Sequence, residues 1–313
     1  MSARSLTLVI TLAVAAAACG PKGLEPGEGY VEVPGGRVWY RIVGSGTATP
    51  LLLLHGGPGV PGYYMKPLAA LADERPVIFY DQLGAGHSDP ITDTTLLTVD
   101  RFVAELAAVR EALELDKVHI LGHSWGTMLA TDYLLTRPAG VKSVILASPA
   151  ISIPRWVADA RALLTTMPDS MQAAVARHEA DGTFDAPEYQ AAVMAFYQRY
   201  LARKLPWSAD LDSAFSQLSP TVYGYMWGPS EFTGTGTLQG YDRTDRLYEI
   251  TIPTLFTTGR YDEALVPTVE YYRSLVPGAE MAIIENAAHL TMQDDSAENV
   301  RVVREFLRRV ENR

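Results

Sequence analysis

A serine flanked by two glycines lies at the junction of a predicted strand and a predicted helix, and few folds accommodate this arrangement. The pentapeptide at 122–126, G-H-S-W-G, follows the apolar run 118–121 and opens the helical stretch 125–135. Glycine permits the sharp turn and the close backbone approach that lift the serine hydroxyl to the end of a sheet. The helix N-terminus behind the turn favours developing negative charge. We therefore predict that Ser124 is a nucleophile and not part of a purely structural turn.

Short apolar runs alternate with helical stretches along most of the chain. A run that is apolar throughout is typical of a strand buried on both faces. Alternation of such strands with helices predicts the α/β class, with a mostly parallel sheet flanked by helices. The predicted strands are 51–54, 77–80, 118–121, 141–147, 254–258 and 281–284, and the predicted helices are 99–115, 125–135, 268–276 and 299–310. A turn at 35–36 between the runs 30–33 and 37–43 adds a hairpin ahead of them.

One long segment, 152–245, interrupts this alternation. It contains no run with β periodicity, is rich in Ala, Met, Tyr and Trp, and repeats its apolar residues at helical spacing. We predict a helical cap inserted into a core formed by 30–151 and 246–313. Such a cap would lie over the carboxyl ends of the strands, where open α/β sheets bind their ligands.

A serine hydroxyl needs a base to take its proton, and the base needs an acid to orient it. Asp262 follows the predicted strand 254–258, and His289 follows 281–284, so both fall on loops beyond strand ends. Their order after the serine is the one found in strand-turn-helix hydrolases. We predict His289 as general base and Asp262 as its orienting acid. The alternatives are a solvated loop carboxylate, a surface histidine, and the neighbouring Glu263 as the acid.

A glycine-rich loop at 55–59, H-G-G-P-G, comes directly after the strand 51–54. Glycine lets a backbone N–H turn into a site, and the N–H groups of Gly57 and Trp125 would together form an oxyanion hole. A plain strand-to-helix turn is the alternative, but it does not require three glycines and a proline. A phosphate-binding loop is excluded because no G-K-[ST] follows.

Composition excludes several other classes of function. The net charge of −10 is spread along the chain without a basic stripe, so the electrostatic footprint of a nucleic-acid-binding protein is missing. The single cysteine, Cys19, permits neither an internal disulfide nor a cysteine metal site. None of the six histidines forms an H-E-x-x-H motif, and the one H-x-x-x-H spacing, His119 and His123, begins in the predicted strand 118–121 and not on a helix. We therefore expect chemistry that uses no metal and no cofactor.

The first nineteen residues have the order of an export signal. A positive n-region containing Arg4 precedes the apolar stretch 6–18, and small residues lead to Cys19. The stretch is shorter than the roughly 20 residues that span a membrane. The residues before Cys19 also resemble a bacterial lipoprotein processing site. We favour lipidation of Cys19 after cleavage over simple cleavage after Ala18 and over an unprocessed N-terminus. The protein is then periplasmic or a membrane-anchored lipoprotein, with the Gly- and Pro-rich segment 20–29 as a tether.

Five motifs together resemble one family of hydrolases. They are H-G-G-P-G at 55–59, D-Q-L-G-A-G-H-S at 81–88, G-H-S-W-G at 122–126, G-P-S-E-F at 228–232 and G-R-Y-D-E at 259–263. In this order they closely resemble the proline iminopeptidases (prolyl aminopeptidases), with tricorn-associated aminopeptidases and amino-acid amidases as near relatives. The resemblance runs from about residue 30 to the C-terminus, and the first and fourth motifs are its most specific parts. The exported N-terminus departs from the many relatives that are cytosolic.

The resemblance implies an α/β-hydrolase fold and a serine exopeptidase that releases N-terminal residues, with proline preferred. It also implies that Glu231 and Glu263 bind the α-ammonium of a small peptide or amino-acid amide. A buried ammonium does require such partners. The alternatives are an amidase or esterase of the same fold and a non-catalytic binding protein. A haloalkane dehalogenase or epoxide hydrolase is disfavoured because these relatives have an Asp at the position that Ser124 occupies in this chain.

Overall fold

A single sheet organises the protein, whose computed structural model describes residues 23–312. In the described part of the chain the strands are β1 Gly27–Val33, β2 Gly36–Val43, β3 Leu51–Leu54, β4 Val77–Tyr80, β5 Val118–His123, β6 Val141–Ala147, β7 Thr254–Gly259 and β8 Glu280–Ile284. Their order across the sheet is β1-β2-β4-β3-β5-β6-β7-β8. Strands β3 to β8 are parallel, whereas β1 and β2 are antiparallel to their neighbours. The predicted α/β class with a mostly parallel sheet is confirmed.

Helices cover both faces of this sheet. They are α1 Val99–Ala112, α2 Trp125–Leu135, α3 Ile153–Leu164, α4 Asp169–Asp181, α5 Pro187–Tyr200, α6 Ala209–Ser216, α7 Pro220–Met226, α8 Val266–Leu275, α9 Thr291–Asp294 and α10 Ser296–Glu311, with 3-10 segments at Gly62–Asp73, Thr94–Leu96 and Thr244–Glu249. Between residues 23 and 312, none of the helices combines the length and the apolar character that crossing a membrane requires.

The apolar side chains of β3 show how the sheet divides the core. Leu52 and Leu54 point to a face covered by α1, α2 and α8, and Leu51 and Leu53 point to the face covered by α10 and the segment Gly62–Asp73. Successive side chains of a strand alternate between faces, so a four-residue run of leucine is buried on both. This double burial fixes the carboxyl ends of the central strands firmly in place.

The first strand corrects one expectation about the N-terminal segment. Strand β1 begins at Gly27, inside the predicted tether 20–29, and Gly27–Gly29 pairs with 40–42 of β2. Leu24 also forms a bridge to Gly46. The Gly-rich composition indicated a tether, but backbone pairing at a sheet edge requires no apolar side chains. The predicted signal 1–19, including Cys19, lies outside the described residues.

Helices α3 to α7 lie between β6 and β7, in the segment 152–245 for which a helical cap is predicted. They have a small apolar core of their own, which includes Val175, Tyr189, Phe196 and Phe232. Backbone hydrogen bonds attach the cap to the core at two further places. The carbonyl oxygens of Tyr200 and Leu201 accept from the N–H groups of the segment 289–290, and the N–H of Ser219 donates to the carbonyl of Gly59. The cap therefore reaches the carboxyl edge of the sheet.

Candidate active site

Ser124 stands at the turn between β5 and α2 in a strained backbone conformation. Its φ of 55° and ψ of −121° lie in a region that side-chain-bearing residues rarely occupy. The neighbouring glycines are required by space: a Cβ on Gly122 would lie 2.2 Å from the carbonyl oxygen of Gly126. A Cβ on Gly126 would lie 2.2 Å from the carbonyl oxygen of Leu54. The motif thus forms the tight turn that the sequence predicts.

His289 and Asp262 meet at the carboxyl edge of the sheet, on the loops after β8 and β7. The imidazole Nδ1–H of His289 donates to Oδ1 of Asp262 over 2.8 Å. Because a carboxylate can only accept, this bond leaves Nε2 of the neutral ring as the nitrogen that can take a proton. His289 is 3% exposed and Asp262 is 1% exposed, so the pair is shielded from water.

Asp262 is held as an ion by its surroundings. Its Oδ1 also accepts from the N–H of Ala264 at 2.8 Å, and its Oδ2 accepts from the hydroxyl of Thr258 at 2.9 Å. Burial raises the pKa of this carboxyl, but the charge and hydrogen bond of His289 and the other donors outweigh it, so the pKa lies below its ordinary value. Asp262, not the adjacent Glu263, is the carboxyl that bonds to His289.

The backbone of His289 is fixed from two sides. Its N–H donates to the carbonyl of Tyr200 in the cap at 3.1 Å. Its carbonyl accepts from Nε2–H of His123 at 3.0 Å and from the hydroxyl of Ser148 at 2.8 Å. The loop that carries the candidate base is therefore connected to the cap, to the serine turn and to the end of β6.

The glycine-rich loop and the start of α2 face the same region. Gly57 has a φ of 108°, a conformation that favours glycine. Trp125 is the first residue of α2, so its backbone N–H has no acceptor within the helix. Both N–H groups are consequently candidates for stabilising an oxyanion, as the sequence predicts.

One cavity brings most of these groups together. Ser124, His289, Gly57 and Glu231 all line it. The apolar part of its wall is formed by Val60, Leu201, Phe215, Leu218 and Leu290. The cavity therefore places a candidate nucleophile and base between an acidic group of the cap and an apolar surface.

The two glutamates implied by the motifs occupy different positions. Glu231 lines the cavity and accepts from the hydroxyl of Tyr223 over 2.7 Å. Glu263 is fully buried, and neither of its carboxylate oxygens has a hydrogen-bond partner within residues 23–312. Burial raises the pKa of both carboxyls, and the charges of Glu231 and Asp262 raise that of Glu263 further. A buried acid without a partner is costly, and a cation between the two would remove that cost.

Sequence reasoning missed several residues that hold this site. The indole N–H of Trp156 donates to the backbone carbonyl of Glu231 at 3.1 Å, and its ring packs against His289 with centroids 5.3 Å apart. Tyr223 and Tyr197 line the cavity beside Glu231. These residues belong to cap helices, and no local motif marks them.

The buried carboxyl of Glu263 predicts an unusual pH dependence of stability. The pKa of this carboxyl is above the ordinary 4.5 in the folded state, so between these two values the folded protein binds a proton that the unfolded chain has lost. Stability is therefore lost as pH rises from 4.5 towards the raised pKa. Glu263→Gln cannot titrate. We expect the free energy of unfolding of this variant to rise relative to that of the wild type as pH increases through this window, by at most about 1.4 kcal/mol per pH unit. Urea unfolding at pH 5 and pH 8 measures the gain.

The matched control for this measurement is Glu270→Gln, at an exposed position of α8. Its difference from the wild type should not change between the two pH values. Parallel pH dependence of Glu263→Gln and the wild type would contradict a carboxyl that is held protonated by burial.

Known proteins resemble the chain over nearly its whole length. The family described as alpha/beta hydrolase fold matches residues 49–295. A proline iminopeptidase of Heyndrickxia coagulans is 47% identical over 284 residues, which is 90% of this chain and 98% of the relative. The crystal structure of proline iminopeptidase from Mycobacterium smegmatis superposes with a TM-score of 0.84 at 34% identity, over 91% of this chain and 98% of the other. The crystal structure of VinJ superposes with a TM-score of 0.88 at 33% identity, over 91% and 100%.

Proposed function

The chain belongs to the proline iminopeptidase family of α/β hydrolases, and from this premise we propose that it is a serine exopeptidase that releases N-terminal proline from small peptides. The observation that carries the proposal is a pair of glutamates, with Glu231 half-buried in the wall of the Ser124 cavity and Glu263 fully buried. A general esterase has no use for two such carboxylates, of which Glu263 has no hydrogen-bond partner within residues 23–312. An exopeptidase uses such a pair to bind the free amino terminus of its substrate.

The proposed reaction begins with attack of the Ser124 hydroxyl on the carbonyl carbon of the first residue. Nε2 of His289 takes the hydroxyl proton, and Asp262 stabilises the imidazolium that forms. His289 then gives this proton to the leaving amine, which produces an acyl-enzyme. Water, deprotonated by the same imidazole, hydrolyses the ester and restores Ser124. The hydrogen bond between His289 Nδ1 and Asp262 supports these roles because it leaves Nε2 available.

The N–H groups of Gly57 and Trp125 are the proposed oxyanion hole. The carbonyl oxygen becomes negative when the tetrahedral intermediate forms, and donors fixed in advance stabilise that charge. One such donor is worth about 3 kcal/mol in comparable enzymes. The position of Trp125 at the N-terminus of α2 adds the favourable field of the helix.

Glu231 and Glu263 are proposed to bind the substrate's ammonium. Glu231 is positioned by the Tyr223 hydroxyl and by the Trp156 bond to its backbone. Glu263 has no hydrogen-bond partner within residues 23–312, and the substrate's ammonium would supply one. If the amine binds at this end of the cavity, the bond that follows the first residue of the substrate would lie beside Ser124. The apolar wall of the cavity is then available to the rest of the substrate.

A panel of aminoacyl arylamides tests the proposed substrate. Prolyl arylamide should have the highest kcat/KM of the panel, and p-nitrophenyl acetate should be a poor substrate. Comparable rates on all aminoacyl members would favour an amino-acid amidase. Hydrolysis of the acetate ester alone would favour an esterase and refute the exopeptidase.

We further propose that the protein is exported, with Cys19 lipidated. The order of charge, apolar stretch and small residues before Cys19 supports this proposal. In a bacterial host, mass spectrometry of the mature N-terminus should find residues 1–18 removed and a lipid on Cys19. A Cys19→Ala variant is the matched control, and it should lose membrane association. An intact Met1 would refute export, and an unmodified Cys19 on a processed chain would refute the anchor alone.

A further inference from the structure

The orientation of the peptide unit between Gly56 and Gly57 must be fixed by contacts with other groups. Glycine stands on both sides of it, and Gly57 has a φ of 108°, so rotation of this unit meets little steric resistance. If the unit turned over, the N–H of Gly57 would point away from the oxyanion and the Gly56 carbonyl would take its place. We propose that His55 is the positioning residue that prevents this, by binding the Gly56 carbonyl. The proposal rests on the oxyanion role given above to Gly57.

The contacts of the His55 ring fix which of its nitrogens carries the proton. Nε2 lies 2.9 Å from the backbone nitrogen of Gln82, which can only donate, so Nε2 is an acceptor. Nδ1 lies 2.9 Å from the carbonyl oxygen of Gly56, which can only accept, so Nδ1 carries the hydrogen. The ring is 1% exposed, and burial lowers its pKa, which keeps it neutral. His55 therefore has one donor and one acceptor, and both are used.

Peptide geometry transmits this bond to the active site. The C=O and N–H of one planar trans peptide point in opposite directions. A donor that fixes the Gly56 carbonyl therefore fixes the direction of the Gly57 N–H. The preceding peptide is held as well, because the N–H of Gly56 donates to the hydroxyl of Tyr64 at 2.7 Å and that hydroxyl donates to Nδ1 of His123 at 2.9 Å.

The hydrogen bonds of Gln82 also connect the two residues that supply the proposed oxyanion donors. The side chain of Gln82 donates from Nε2 to the carbonyl of His55 at 3.0 Å. Its Oε1 accepts from the indole N–H of Trp125 at 2.7 Å. The residue that supplies the second donor is thereby tied to the residue that directs the first. This arrangement explains why a fully buried imidazole stands ahead of the glycines.

Two substitutions separate the two nitrogens of His55. Asn places an amide nitrogen near the position of Nδ1, so His55→Asn keeps a donor for Gly56. Gln reaches the position of Nε2, so His55→Gln keeps the acceptor for Gln82 and loses the donor. We expect His55→Gln to lower kcat about 10²-fold with KM changed less than about threefold, because one oxyanion donor is misdirected. His55→Asn should stay within about tenfold of the wild type.

Inhibitor binding provides a readout that a merely structural role would not move. A prolyl boronic acid forms a tetrahedral adduct with the serine, whereas free proline binds without one. His55→Gln should bind the boronate about 10²-fold more weakly and proline with unchanged affinity. His119→Gln removes another buried histidine, one that bonds Ser143, and should bind both inhibitors as the wild type does. Equal kcat for the Asn and Gln variants, or full boronate affinity in His55→Gln, would overturn the proposal.

A measurement on the unmutated protein covers the case in which His55→Gln does not fold. Nitrogen-15 NMR of labelled histidine at neutral pH should show the Nδ1–H form of His55. The Nε2–H form would overturn the proposal. If the wild type hydrolyses only neutral esters, the exopeptidase fails, but the Asn and Gln variants can still be compared on the ester. The two proposals therefore fail separately.

Discussion

Ser124→Ala is expected to abolish turnover of prolyl arylamides, with kcat lowered on the order of 10⁶-fold as in other serine enzymes that depend on a triad. Alanine keeps the Cβ and the φ of 55°, so the turn between β5 and α2 should fold as before. The change removes only the oxygen that would attack the substrate. Initial rates and a circular dichroism melt of both proteins measure the two halves of this expectation.

A fluorophosphonate probe identifies the attacking serine independently of any peptide substrate. It should label the wild type at Ser124 and leave the alanine variant unlabelled. Ser274→Ala, at an exposed position of α8, is the control and should label and turn over normally. Labelling of another serine, or undiminished turnover by Ser124→Ala, would contradict the assignment of the nucleophile.

The residues at strand ends could be predicted because sequence order and sheet topology determine where they lie. Ser124, Asp262 and His289 each follow an apolar run, and parallel strands bring their carboxyl ends to one edge. The structure has Asp262 bonded to His289 there. In contrast, the glycines of 27–29 suggested a tether because composition does not report backbone pairing with a neighbouring strand.

The supporting residues could not be predicted because they act through tertiary contacts. Trp156 is one of several aromatic residues in the cap, and helical periodicity marks it only as buried. Its bond to the Glu231 backbone spans 75 positions of sequence. The sequence also does not indicate that Glu263 lacks a hydrogen-bond partner within residues 23–312, since a glutamate after a strand is ordinarily solvated. Such contacts depend on how the cap packs over the sheet, and no local pattern encodes that packing.

The proposed amine site predicts a strong dependence on the substrate's free amino terminus. Acetylation removes the positive charge that Glu231 and Glu263 would neutralise and adds bulk where the cavity ends. An unpaired buried charge costs several kcal/mol, so N-acetyl-prolyl arylamide should be hydrolysed at least about 10³-fold more slowly than prolyl arylamide. Glu231→Gln keeps the shape of the side chain and its bond to Tyr223, and it removes one charge.

We expect Glu231→Gln to lose about 10²-fold in kcat/KM on prolyl arylamide and far less on p-nitrophenyl acetate, which has no amine. The contrast between the two substrates is the decisive quantity, because damage to Ser124, Asp262 or His289 would lower both rates together. Glu270→Gln should show no contrast. Because the variant has one charge fewer to neutralise the bound ammonium, the ratio of the rate on free substrate to the rate on acetylated substrate should also shrink. Equal rates on free and N-acetylated substrates in the wild type would eliminate the amine site and leave an esterase.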